Sequence, residues 1–179
     1  LDALGPVRDD TVIGVAAGGS PPYVIGGLAH AARGSSPPTT ALICCTPLPA
    51  PPPGVRHVIA IETGPEVLTG STRMKAGTAT KLALNTISTT LMVRSGRVYQ
   101  NLMVDLRATN AKLRDRAARI ITTLTGLPRA EAFALLDRAS GSVKPALVMH
   151  ARGVPLPEAE RLLNAAGGRL DEVLPPPRV

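Results

Sequence analysis

The segment Thr11-Val-Ile-Gly-Val-Ala-Ala-Gly-Gly-Ser-Pro-Pro-Tyr23 reads as a strand, a tight loop and the start of a helix. Thr11 to Ala17 is short and β-rich, Gly18-Gly19-Ser20-Pro21-Pro22 interrupts it, and a helical stretch runs from Tyr23 to about Arg33. Downstream, a second strand-like run, Thr40 to Cys45, lies between Pro37-Pro38 and Pro47, and a third spans Val55 to Ile61. The consecutive prolines Pro51 to Pro53 cannot donate to a sheet ladder and favour extended backbone. Ala50 to Gly54 is therefore read as a connector, with a proline-rich recognition ligand as the alternative. Strands separated by a helix or crossover pair in parallel under covering helices, which sets the fold class as α/β.

Beyond Thr69 the composition turns helical. Met74 to Arg94 contains no proline and places Leu84, Ile87 and Leu91 at i, i+3 and i+7, so a long, largely buried helix is expected. Gly77 costs this helix ~1 kcal/mol relative to alanine; with Ala76, Ala79 and Ala83 it permits close backbone approach. A later helix runs from a Thr109 cap to Gly126, with Leu113, Ala117, Ile120 and Leu124 in one stripe and Lys112, Arg114, Arg116 and Arg119 mostly away from it. The rest of the chain repeats itself. Gly126-Leu-Pro128 through Leu147 aligns with Gly153-Val-Pro155 through Leu174, 27 residues further on, matching Glu131 with Glu158, Leu135-Leu136 with Leu162-Leu163 and Gly141 with Gly168. Proline at the start, a leucine pair inside and glycine at the end specify short helices that cannot bury their faces alone. The expected organisation is a partial α/β domain over 1–125 and a small helical subdomain over 126–179.

Bulk composition narrows the function classes. With 179 residues, 44% hydrophobic and 18% charged, the chain suits one main globular core, and no apolar run approaches the ~20 residues of a membrane helix. A soluble protein without membrane association is expected. Net charge +7 invites a nucleic-acid reading, but the 20 Lys and Arg are scattered, and only Tyr23, Tyr99 and Phe133 could stack a base. A solvated basic surface is preferred. Cys44 and Cys45 are adjacent, so in a strand they point to opposite faces and suit neither a shared disulfide nor one metal; reduced core residues of a cytoplasmic protein are expected. Leu1 opens the chain without an initiator Met or a signal peptide, as a cut or processed start would.

The densest chemistry lies in Glu62-Thr-Gly-Pro-Glu-Val-Leu-Thr-Gly-Ser-Thr-Arg-Met-Lys-Ala-Gly-Thr-Ala-Thr-Lys81, where a strand ends and a long helix begins. Hydroxyls at Thr63, Thr69, Ser71, Thr72, Thr78 and Thr80 accompany Arg73, Lys75 and Lys81. At a helix N-terminus such groups converge donors and positive charge on one spot, which suits a phosphate; a capped helix with solvated charges is the alternative. Ser71 and Thr72 would present outward amides, with Lys75 one turn on along the same face. Glu66 is a candidate general base if it faces a cleft, and a dipole-complementing carboxylate otherwise. Gly18-Gly19-Ser20 follows a strand at its C-terminal end, where parallel sheets place ligands, so Gly19 and Ser20 join the candidate phosphate set, with a structural turn as the alternative. His30, His57 and His150 are far apart and show no ligand spacing, so no metal is assigned.

These residues carry a family resemblance. Gly64 through Lys81, followed by Leu84-Asn85, Val98-Tyr-Gln-Asn-Leu-Met-Val-Asp105 and Thr109-Asn-Ala-Lys-Leu113, is similar to the N-acetylmuramic acid 6-phosphate etherases, and the tandem helical tail extends the likeness over nearly the whole chain. The resemblance implies a parallel, three-layer sugar-isomerase (SIS) sheet, truncated on its N-terminal side, with a kinship to the glucokinase regulatory protein. It implies a lyase that splits the lactyl ether of N-acetylmuramic acid 6-phosphate with water, giving N-acetylglucosamine 6-phosphate and D-lactate, without a cofactor. Such an elimination needs a base at sugar C2 and an acid at the departing oxygen. The family's upstream half, with its serine-rich loop and its acid and base glutamates, is expected before Leu1, and a homodimer or partner chain is expected to complete the protein. The family's Ser-Gly-Arg-Thr-Pro-Tyr is replaced here by Gly18-Gly19-Ser20-Pro21-Pro22-Tyr23, so a hydroxyl and an arginine leave their usual places. A non-catalytic sugar-phosphate regulator is the alternative function.

Overall fold

Continuous apolar character picks out the central strand. The computed structural model describes residues 2–174, so Leu1 and the last five residues of the tail lie outside the described residues. β1 (Thr11–Val15) and β3 (His57–Ala60) flank β2 (Thr39–Cys44), and both pairings are parallel, from Thr11 opposite Thr39 to Val15 opposite Ile43 and from Ala41 opposite His57 to Cys44 opposite Ala60. Leu42, Ile43 and Cys44 are completely buried, as a strand covered on both faces requires. The edge strands are half exposed.

α1 (Pro22–Ala31) makes the crossover from β1 to β2 and buries Leu28 against Leu42 and Ala16. It packs so close at Gly14 that a Cβ there would come within 2.7 Å of Leu28 and Val24. The proline-rich stretch is a connector inside this unit. Buried Thr40 fixes it, donating its hydroxyl to the Gly54 carbonyl at 2.7 Å and accepting from the Arg56 amide at 3.1 Å.

Chain contacts divide the molecule into Leu1–Ile87 and Ser88–Val179, within α2 (Ala76–Arg94) and not at residue 125. The reason is α3 (Ala111–Thr125), whose stripe packs on the later helices and makes one core with them. The expectation of a buried Met74–Arg94 helix is corrected. α2 begins two residues later, and only Ala76 in it is buried, while Leu82, Leu91, Met92 and Val93 are 43–57% exposed. Its apolar residues surround the helix and do not form a single stripe.

In the second unit β4 (Val98–Tyr99) and β5 (Leu102–Met103) form an antiparallel hairpin ahead of α3. The α3 cap is Asn110, not Thr109: its side-chain oxygen accepts the Leu113 amide at 2.9 Å, three positions on. α4 (Arg129–Arg138), α5 (Val143–Arg152), α6 (Leu156–Ala165) and α7 (Leu170–Val173) follow. The 27-residue repeat extends to the backbone. After α4, Ser140 (φ 51°) donates to Asp137 and Gly141 to Leu136; after α6, Gly167 (φ 58°) donates to Asn164 and Gly168 to Leu163. Both are Schellman closures, which explains the glycines at matching positions. Ile121, Leu136, Val143 and Val148 are fully buried at the centre of this helical core. Arg114 grips Asp137 and Arg129 grips Asp115, and both guanidiniums lie about 5 Å from the Phe133 ring centroid, which accounts for part of the basic residues on α3 and α4. No helix among the described residues is long and apolar enough to cross a membrane.

Candidate functional site

Parallel strands all point one way, so the loops leaving their C-terminal ends meet on one side of the sheet. Here they enclose a cleft of about 480 Å³. Ala17 and Gly18 line it after β1, Cys45 and Thr46 after β2, and Glu62, Thr63 and Glu66 after β3; Thr69, Gly70, Thr72 and Ala76 complete the wall. Thr63 donates its hydroxyl to the Cys45 carbonyl at 3.5 Å, and the Cys45 thiol lies 3.5 Å from both the Ala76 carbonyl and the Thr80 hydroxyl. Both cysteines are free and buried.

The sequence candidates separate on inspection. Thr72 and Glu66 line the cleft. Gly19, Ser20, Ser71 and Lys75 are outside its lining. Gly19 is buried with φ 74°, donates to Ala16 at 3.0 Å, and would place a Cβ 2.8 Å from Leu48; it serves the turn, while its neighbour Gly18 faces the cleft. Ser71 accepts the Arg73 side chain at 3.0 Å. The helix begins at Ala76, so Ser71 to Lys75 form a turn before it and do not share a helical face.

Glu66 explains where the helix starts. Its carboxylate accepts the backbone N–H groups of Lys75 and Ala76, each at 3.0 Å. These amides belong to the helix entrance, which leaves donors without intrahelical partners and carries partial positive charge. The Lys75 bond, then the Ala76 bond, hold the Glu66 carboxyl below its ordinary range; partial burial opposes this and the Lys75 charge assists it. An ionised carboxylate committed to two amides is a cap, and the role of proton acceptor recedes. Thr63, one of the hydroxyls read from the sequence, lines the cleft, whereas Glu62 and Cys45 were given no role there. Their signal was position, each standing just past the end of a strand.

Among the described residues no cluster of three His, Cys, Asp or Glu is placed to hold a metal. The chemistry on offer is hydroxyls, a glycine edge and two carboxylates, which suits a polar, hydroxylated ligand.

Comparisons with known proteins bear on the family of the chain. Residues 100–147 match the family model of the C-terminal lid domain of glucokinase regulatory protein. The chain is 51% identical over 171 residues to an N-acetylmuramic acid 6-phosphate etherase of Mycolicibacterium smegmatis, covering 94% of this chain and 56% of the relative. It is 50% identical over 170 residues to that of Parasynechococcus marenigrum, covering 95% and 53%, and 47% identical over 174 residues to that of Salmonella paratyphi B, covering 97% and 58%. The chain thus spans little more than half the length of the curated relatives it matches. With about half of all residues identical along nearly its entire length, it belongs to the N-acetylmuramic acid 6-phosphate etherase family.

Proposed function

We propose that this chain is the sugar-phosphate-holding part of an N-acetylmuramic acid 6-phosphate etherase, built on a sugar-isomerase sheet. The whole enzyme would cleave the lactyl ether of its substrate to N-acetylglucosamine 6-phosphate and D-lactate, a step in reusing cell-wall amino sugar. The observation that carries the reading is the hydroxyl-lined cleft at the strand ends, in a chain half identical to etherases. Elimination needs a base and an acid with different protonation states. Glu66 is ionised and spent on amides, which leaves Glu62 as the other carboxylate of the cleft; a base and an acid together then call for a further group, supplied by a longer native protein, a separate chain or a partner.

Within the cleft, Thr72 and the hydroxyl loop face the ligand, with Ser71 and Lys75 beside them; Ser20 stands next to the turn that Gly19 closes. Titrating N-acetylglucosamine 6-phosphate into the wild type and Lys75→Met tests this arrangement. Loss of a charge-assisted contact lowers affinity about tenfold or more; equal affinities remove Lys75 from the site.

Half-exposed Ile13 and Val15 on edge strand β1, and Leu82, Leu91 and Met92 on α2, support a homodimer or a partner chain, because proteins cover such edges and patches. Free, buried cysteines fit a cytoplasmic setting. A second reading, a non-catalytic phosphosugar regulator, is favoured specifically by the match of residues 100–147 to a regulatory protein's lid. It predicts saturable phosphosugar binding and no turnover even with the remainder of the enzyme restored.

A further inference from the structure

The loop from Val67 to Met74 carries three of the hydroxyls of the candidate site, yet packing does little to hold it. Val67, Leu68 and Met74 are 65–77% exposed, and Gly70 turns the backbone at φ 83°. Its internal ties are short-range: the Ser71 amide to the Leu68 carbonyl at 3.0 Å, the Arg73 amide to the Ser71 carbonyl at 2.8 Å, and the Arg73 side chain to the Ser71 hydroxyl. None of these joins the loop's beginning to its end. That is done by Glu66, whose two bonds reach nine and ten residues ahead to Lys75 and Ala76. Ala76 is 3% exposed, so the far end of the tie is anchored.

We infer that Glu66 is a positioning residue, whose carboxylate clasps the helix entrance and so holds the Thr69 and Thr72 side of the cleft in the shape that receives the phosphosugar. This inference rests on the functional reading proposed above. It also assigns the amides of Lys75 and Ala76: they are consumed by the protein's own carboxylate, so the ligand's anion is held elsewhere on the loop. Loss of the clasp frees the loop to sample other shapes, and a ligand then binds only the fraction that remains competent.

Two measurements on the full chain test it. Hydrogen exchange read at residues 67–76 should accelerate about tenfold in Glu66→Ala relative to the wild type, with exchange in the rest of the chain and far-ultraviolet circular dichroism unchanged. Affinity for N-acetylglucosamine 6-phosphate should fall by about tenfold or more in the same variant. Glu66→Gln keeps one accepting oxygen and should fall between the two, a graded rescue that a bystander would not show. Unchanged exchange in Glu66→Ala overturns the clasp. Equal or tighter phosphosugar binding by that variant overturns the positioning role and makes the carboxylate a bystander or a competitor for the amides. Should the wild type itself fail to bind, the functional reading fails, and the exchange measurement still decides whether the clasp holds.

Discussion

Two adjacent glycines sit at the end of β1, and the structure gives them opposite jobs. Gly19 has φ 74° and a Cβ built on it would lie 2.8 Å from one Leu48 methyl, 3.3 Å from the other and 3.4 Å from the Cys44 Cβ. Gly18 has no atom within 4 Å of such a Cβ and borders the cleft. In Gly19→Ala the left-handed backbone costs roughly 1–2 kcal/mol. Crowding adds about 1 kcal/mol, at the low end of overpacking, because a leucine terminus can shift while the fully buried Cys44 cannot. A loss of about 2–3 kcal/mol in urea denaturation is therefore expected for Gly19→Ala, against less than about 0.5 kcal/mol for Gly18→Ala. Phosphosugar affinity should respond in the reverse order, falling in Gly18→Ala because the new methyl group enters the cleft. A stable Gly19→Ala chain that has lost its affinity would overturn the structural role of Gly19 and return it to the ligand.

Glu66, Asp115, Asp137 and Glu158 are each held below their ordinary range by hydrogen bonds, from backbone amides for Glu66 and from Arg129, Arg114 and Arg161 for the others. Below the ordinary carboxylate pKa of about 4 the unfolded chain binds more protons than the folded one, so this stability is complete above that pH and is lost as pH falls through the lowered values. Urea midpoints should stay level from pH 7 to about 4.5 and drop below it; Asp137→Asn should shallow the drop, and an unchanged acid profile would contradict the pairing. If the exposed apolar residues of β1 and α2 form the proposed assembly face, light scattering at micromolar concentration should show a dimer or larger species. A stable monomer counts against that assembly.

Local physics was legible in the sequence wherever one segment decides the outcome. The three strand runs, the proline-rich connector and the 27-residue repeat follow from short-range rules, and the repeat persists as two matching helix closures at Gly141 and Gly168. The glycine loop at the end of β1 lies where the C-terminal strand ends open a cleft, which Gly18 lines. What was not legible depends on distant residues. The start of α2 is set by Glu66 ten positions upstream, so the spacing of Ser71 to Lys75 suggested a helical face where there is a turn. The exposure of α2 could not be read from Leu84, Ile87 and Leu91, because periodicity reports a face and not its partner. Glu62, Thr63 and Cys45 become neighbours in the cleft only once the strands pair in register.

We propose that this chain holds a phosphosugar and does not cleave the lactyl ether alone. The direct test is D-lactate release from N-acetylmuramic acid 6-phosphate, measured for this chain alone and after it is joined to the remaining portion of an etherase such as that of Mycolicibacterium smegmatis. No lactate above the uncatalysed rate is expected from the chain alone, and sustained release is expected from the joined protein. Sustained release by the chain alone would contradict the proposal, and so would a correctly folded joined protein that binds the substrate and releases none.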